Sequence, residues 1–280
     1  MHKNLVQTLC AAFCAILAHL SMGGGGMNIA AHHSMIGGNK IPTAKDYVQD
    51  GLIAMWDGIE NAGFGVHDAS ATMWKDLCGS NDLSNPHASA WDSDGYVFDA
   101  TYSFYSTTAN INPLISNAWT AECIYRIDAA MNNYQCVFGS RMSGVYGIYG
   151  LNMWGMYQCG SGNNSSNNDA FDTSKTAQLI PLTVKDSVHS MTLGFSGGNS
   201  YFLGDSGVIV ATSTSSRTPG AALGYMIGRG WCQNTSSLAN ADGSRVFKGK
   251  VFTHRIYSRA LTAAEIAANY AVDKARFNLP

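Results

Sequence analysis

Two short segments combine flat aromatic rings with side-chain amides. Trp154 and Tyr157 border an Asn-rich stretch from Asn163 to Asp169, and Trp231-Cys232-Gln233-Asn234 repeats the same chemistry further on. An indole or phenol ring packs on the apolar C–H face of a pyranose, and amides beside it bond the hydroxyls. If the two segments share one rim of a fold, Trp154, Tyr157, Asn163, Asn164, Trp231, Gln233 and Asn234 are the candidate ligand-binding residues. The competing reading makes the tryptophans core residues and the Asn/Ser stretches solvated turns, because Trp is highly buried on average. Asp57, Asp68 and Asp76 offer hard oxygen ligands in or near neighbouring loops. Their spacing permits Ca2+ without demanding it.

The patterns that suggest catalysis fail on context. Gly194-Phe195-Ser196-Gly197-Gly198 matches G-x-S-x-G, but a nucleophile elbow needs a helix after the turn, and Ser200 to Leu203 reads as another strand. Gly204-Asp205-Ser206-Gly207 resembles a serine-protease nucleophile loop, yet Val208 replaces the next Gly. Glycoside cleavage needs two carboxyl groups flanking the bond. On the strand from Trp119, Glu122 is followed two residues later by Ile124, so that pair is missing, and Glu122 is expected to meet Arg126 as a surface ion pair. Asp92-Ser93-Asp94-Gly95 begins like an EF-hand loop, but Ser103 holds the position of the closing Glu. His32-His33 has no further ligand nearby. The seven cysteines include no C-x-x-C pair, which argues against zinc knuckle and thioredoxin chemistry. Cys123 and Cys136 lie in apolar runs, where a thiol acts as a small hydrophobe.

What could position such residues follows from composition. In 280 residues, 46% are hydrophobic and only 13% charged, which is ample for a core and too little charge for a disordered chain. The net charge of −2 and the lack of a basic run exclude a nucleic-acid footprint. Thirty glycines against six prolines suit many short strands with tight turns. Lys3, the apolar run Leu9 to Ala18 and the small residues from Ser21 have the layout of a secretory signal, with a disordered extension as the alternative. That run is too short for an integral membrane span. Gly23 to Lys45 reads as a flexible linker, so residues 1–46 are expected to be leader and linker, and 47–280 one domain.

From Tyr47 onward, apolar or alternating runs recur between Gly/Asn/Asp/Ser clusters, which predicts an antiparallel sandwich. Trp119 to Ile127 alternates, with Ala121, Cys123 and Tyr125 on one face and Glu122, Ile124 and Arg126 on the other. His189–Phe195, Ser200–Leu203 and Val208–Ala211 form a meander. Thr262 and Glu265 make a capping box for one helix. Ile266, Ala267, Tyr270 and Ala271 follow at helical spacing, and the helix is expected on the sandwich edge. The fold class is therefore all-β: a two-sheet antiparallel jelly-roll sandwich with one short C-terminal helix.

Several of these segments resemble the laminin-G-like, concanavalin A-like jelly rolls of bacterial and phage surface proteins. Gly51-Leu52-Ile53-Ala54-Met55-Trp56 is similar to that family's first strand, and Trp74-Lys75-Asp76-Leu77-Cys78-Gly79 to its next turn. Gly95-Tyr96-Val97-Phe98-Asp99 looks like its V-x-F-D-G strand, with Ala100 in place of the Gly. Trp119-Thr120-Ala121-Glu122-Cys123 matches a further strand. The most specific likeness runs from Phe247-Lys248-Gly249-Lys250-Val251 through Arg255-Ile256-Tyr257-Ser258-Arg259-Ala260-Leu261-Thr262 to Glu265-Ile266. The resemblance covers about residues 47–275, and its motifs mark strands and a helix cap, with no catalytic centre. It implies a non-enzymatic, lectin-like module for glycans or cell-surface proteins, in some members with calcium, secreted or at the cell surface. A virion decoration or fibre protein is the second expectation, and a glycoside hydrolase with a degenerate motif the third.

Overall fold

A computed structural model describes residues 41–85, 90–101, 103–106, 111, 118–128, 136–139, 141–142, 146–150, 159–162, 186–197, 200–214, 224–229, 231–232 and 247–280. The compact unit they belong to runs from Ile41 to Pro280. Its first strands are β1 (Leu52–Asp57), β2 (Met73–Trp74), β3 (Leu83–Ser84), β4 (Trp91–Asp92), β5 (Gly95–Asp99) and β6 (Phe104–Ser106). Then come β7 (Trp119–Ile127), β8 (Phe138–Gly139), β9 (Arg141–Met142), β10 (Tyr146–Gly150) and β11 (Cys159–Gly162). The meander is β12 (Val188–Phe195), β13 (Ser200–Asp205) and β14 (Val208–Thr214). β15 (Tyr225–Ile227), β16 (Trp231–Cys232), β17 (Lys248–Tyr257) and helix α1 (Ala263–Phe277) close the chain.

The strands form two antiparallel sheets, as expected. One has eight strands in the order β14-β13-β12-β7-β17-β5-β4, with β1 also on β17. The other has seven, in the order β11-β10-β8-β15-β6-β3-β2. β9 and β16 add a small parallel pair. Residues far apart in the chain thus become neighbours, the mark of a jelly roll. Among the described residues no helix is long and apolar enough to cross a membrane.

The two-residue period of β7 divides the molecule. Ala121, Cys123, Tyr125 and Ile127 enter the core between the sheets with Trp56, Trp74, Trp91, Trp119 and Phe138. Ile124 faces the other way and packs with Phe252 and Phe277. Cys123 and Cys136 are free and buried. The serine patterns are hairpin turns. Ser196 donates its backbone N–H to Ser200 O (2.9 Å) between β12 and β13, and Ser206 and Gly207 adopt φ of 51° and 78° between β13 and β14. Asp92 and Asp94 both bond the ammonium of Lys250, at 2.9 Å from Asp92.

The helix is capped as expected: Thr262 Oγ1 accepts from Glu265 N, and Glu265 bonds back to Thr262 N (2.8 Å). Its position and buried face differ from expectation. It lies across the outer face of the eight-stranded sheet, and its buried side chains are Ile266, Asn269, Asp273, Arg276 and Phe277. Ala267 and Ala271 are exposed. The cause is a set of buried charges on the strands beneath. Arg255 on β17 bonds Asp273 through both terminal nitrogens (2.7 Å each) and Glu122 on β7 through Nε (3.1 Å). Asn269 donates to Glu122 (2.7 Å) and to Tyr257 Oη (2.9 Å). Glu122 is therefore not a surface partner of Arg126, which pairs with Asp128 (2.6 Å).

One backbone position departs from the resembled pattern in a measurable way. Ala100 stands where the family carries Gly, and it keeps the left-handed conformation, with φ of 70°. A Cβ there is strained by its own backbone. Ala100→Gly is expected to stabilise the protein by about 1 kcal/mol, after the greater freedom of Gly in the unfolded chain is set against the relieved strain. An unchanged or lower urea midpoint would contradict this.

Candidate functional site

Of the residues proposed from sequence, Trp154, Tyr157, Asn163, Asn164, Gln233 and Asn234 lie outside the described residues. Trp231 is in β16, paired with Arg141 of β9. The three aspartates do not assemble: among the described residues no group of three or more His, Cys, Asp or Glu side chains is placed to hold a metal. Each serves its own turn. Asp57, fully buried, accepts from Ile59 N (2.9 Å), Glu60 N (3.1 Å) and Arg276 (2.8 Å). Burial pushes its carboxyl up, against the pull of Arg276. Asp68 accepts from Ser70 N and Oγ (2.8 and 2.6 Å), bonds that hold its carboxyl below the usual range. Asp76 accepts from Met55 N, Cys78 N, Asn81 N and Asn81 Nδ2, all at 3.0 Å.

Beside Asp76 lies a cleft of about 480 Å³ lined by Lys45, Gln49, Leu52, Phe64, Leu77 and Cys78. Its aromatic wall begins in the sequence as Gly63-Phe64-Gly65. Both glycines have positive φ (136° and 70°), and a turn closes from Val66 N to Gly63 O (2.9 Å). A ring flanked by two such residues is held at the tip of a turn, and Phe64 remains 46% exposed.

The turn is rigidly fastened. Asn61 and the backbone of Asp68 exchange two hydrogen bonds of 2.8 Å, which closes the loop at its base. Glu60 ties it to the chain before β1: Oε2 accepts from Gly65 N (2.9 Å), and Oε1 from Ala44 N (3.2 Å) and Arg276 (3.1 Å). Ala44–Asp46 is a short 3-10 turn capped by Thr43. It brings Lys45 Nζ to 4.9 Å from the centre of the Phe64 ring. Gln49 donates to Tyr47 O (2.8 Å).

The far wall is Leu77 and Cys78, placed by Asp76. Cys78 is free and exposed at the rim, and its partly desolvated thiol beside Asp76 is held above the usual range. The cleft therefore offers an aromatic plate, a cation, an amide, apolar walls and one exposed thiol, with no carboxylate among its lining residues. That set can bind but nominates no acid or base.

Sequence reasoning missed this site because Lys45 was assigned to the linker. A ring between two glycines was the available signal. Pro42 and Ala44, expected in the linker, are built into the fold through Arg276 to Pro42 O (3.1 Å) and Ala44 N to Glu60, next to Tyr47, whose Oη donates to Asp273 (2.8 Å).

No family model matches the sequence. No curated protein is detectably similar to it either. Solved structures share the fold. Trypanosoma rangeli sialidase in complex with 2,3-difluorosialic acid superposes with a TM-score of 0.55 at 15% identity, covering 91% of this chain and 35% of the sialidase. The same enzyme with sialic acid gives 0.54 at 14% identity, over 97% of this chain and 39% of that one. Domain 4 of AbnA, an extracellular arabinanase from Geobacillus stearothermophilus, in complex with arabinotriose, gives 0.51 at 14% identity, over 78% of this chain and 98% of the domain. The chain thus spans under half the length of the sialidases, and at this identity the likeness establishes the β-sandwich fold.

Proposed function

We propose that the chain is a non-enzymatic, lectin-like glycan-binding module of the laminin-G-like type, acting outside the producing cell. The observation that carries this reading is the fastened cleft, where the half-exposed Phe64 ring stands beside Lys45 and Gln49. Stacking on a pre-positioned ring with polar groups alongside is how shallow sites hold saccharides. AbnA domain 4, nearly all of which is matched here, is itself seen with arabinotriose. On β7 the strand position that would carry a second carboxylate is Ile124, and Glu122 is sealed beneath the helix.

A second reading, an adhesion or virion component, is favoured by β14. It is an end strand of its sheet without charge or proline, and Val208 and Val210 are 61% and 46% exposed. Such an edge suits contact with another protein. A saccharide array combined with size-exclusion chromatography separates the two, run with and without EDTA because calcium dependence is a property of some resembled proteins. Saccharide binding by a monomer, lost in Phe64→Ala, is the expected result. A stable oligomer that binds no saccharide would replace the first reading by the second.

A further inference from the structure

We infer that the cleft selects glycans bearing a carboxylate, with Lys45 as the group that reads the charge; this rests on the lectin reading above. Lys45 is exposed, and its ammonium lies 4.9 Å from the Phe64 ring centre. No carboxylate among the described residues lies within ion-pair distance of it. Its acidic neighbours are engaged elsewhere. Asp46 accepts from Thr43 N and Oγ1 (2.6 and 2.9 Å). Asp50 pairs with Arg259 (2.8 Å) and Glu60 with Arg276 (3.1 Å). Asp76 accepts the four bonds given above.

A cation resting on a ring face, with no anion of its own among the described residues, has a weak partner that a ligand anion can better. The Phe64 ring, the Gln49 amide and the Leu52 and Leu77 side chains serve the sugar itself. A neutral saccharide would use these groups but leave the ammonium without a counter-charge. A uronic or sialic acid residue would use both at once. Charge complementarity therefore distinguishes acidic from neutral glycans at one site.

The test is calorimetric titration of the full chain with two matched pairs: trigalacturonate against its methyl ester, and sialyllactose against lactose. At least one acid is expected to bind about two- to fivefold more tightly than its neutral counterpart, the size of one exposed ion pair. Lys45→Met should reduce the acid to the level of its neutral partner, and Lys45→Arg should keep the preference. Phe64→Ala should abolish binding of both members. Both positions are exposed, and circular dichroism checks that the variants fold. Equal binding within each pair, or a preference that survives Lys45→Met, overturns the inference and leaves the lectin reading standing. So does failure of both acids in a protein that binds neutral saccharides on the array. Absence of binding to any saccharide overturns both.

Discussion

Arg255→Met is expected to destabilise the fold by about 3–5 kcal/mol, the cost of leaving buried carboxylates without their cation. Arg255 is 1% exposed, and its guanidinium holds Asp273 at 2.7 Å and Glu122 at 3.1 Å while stacking 4.0 Å from the centre of the Tyr47 ring. Methionine fills much of the volume but supplies none of the donors. Burial already pushes the Glu122 carboxyl up, opposed mainly by Arg255. With the arginine gone, Glu122 favours folding only while protonated. A group whose folded pKa lies above its unfolded value contributes stability below the unfolded pKa and loses it as pH rises through the folded one. The deficit should therefore be largest at neutral pH and shrink towards about pH 4, near the unfolded pKa of a glutamic acid. Urea unfolding at the two pH values measures this. Arg255→Lys keeps the charge and loses the two-pronged geometry, so an intermediate loss is expected. A loss under about 1 kcal/mol for Arg255→Met, the range of an exposed pair, would mean that the buried network is not what holds the helix.

Deleting residues 258–280 should have a larger effect: insoluble protein, or protein with no cooperative transition. The segment covers two apolar patches on the outer sheet face, one of Phe202 and Tyr257 beneath Leu261 and Ile266, the other of Ile124 and Phe252 beneath Phe277. Ile266 and Phe277 are 1% and 6% exposed, and burial of each contributes about 1.5–3 kcal/mol. The deletion also removes Asp273 and Arg276, which leaves Arg255, Asp57 and Glu60 without their helix partners. Against a total stability of about 5–15 kcal/mol, the combined loss is decisive. Soluble truncated protein with a sharp urea transition would show that the sandwich folds without its third layer.

The local features of this chain were legible because they are written within a few residues. The alternation in β7 placed Ala121, Cys123 and Tyr125 together on the inner face, where they are found. The Thr262/Glu265 pair marked the start of α1, and the turns after Phe195 and Asp205 marked the meander. These depend on backbone geometry and side-chain period, which neighbouring residues determine on their own.

What the helix rests on depended on β17. Its pairing with β7 skips one residue between Val251 and Thr253, so Phe252 is an extra residue in the ladder. Val251 faces the inter-sheet core, and after the bulge Arg255 stands opposite Glu122 on the outer face. Without that insertion the two-residue period would turn Arg255 inward. A bulge is set by the partner strand, and β7 lies more than a hundred residues away in sequence. The same distance hid the polar stripe of α1: the helical spacing of Ile266, Ala267, Tyr270 and Ala271 says nothing of Asn269, Asp273 and Arg276, which are buried because Glu122, Arg255 and Asp57 lie under them. The cleft was hidden likewise, because Lys45, Phe64 and Cys78 meet only through the carboxylates of Glu60 and Asp76. Period and turn chemistry set the strands, the hairpins and the helix cap. Which charges become buried, and which ring is left open beside a cation, was decided by contacts between segments that carry no mark of each other in sequence.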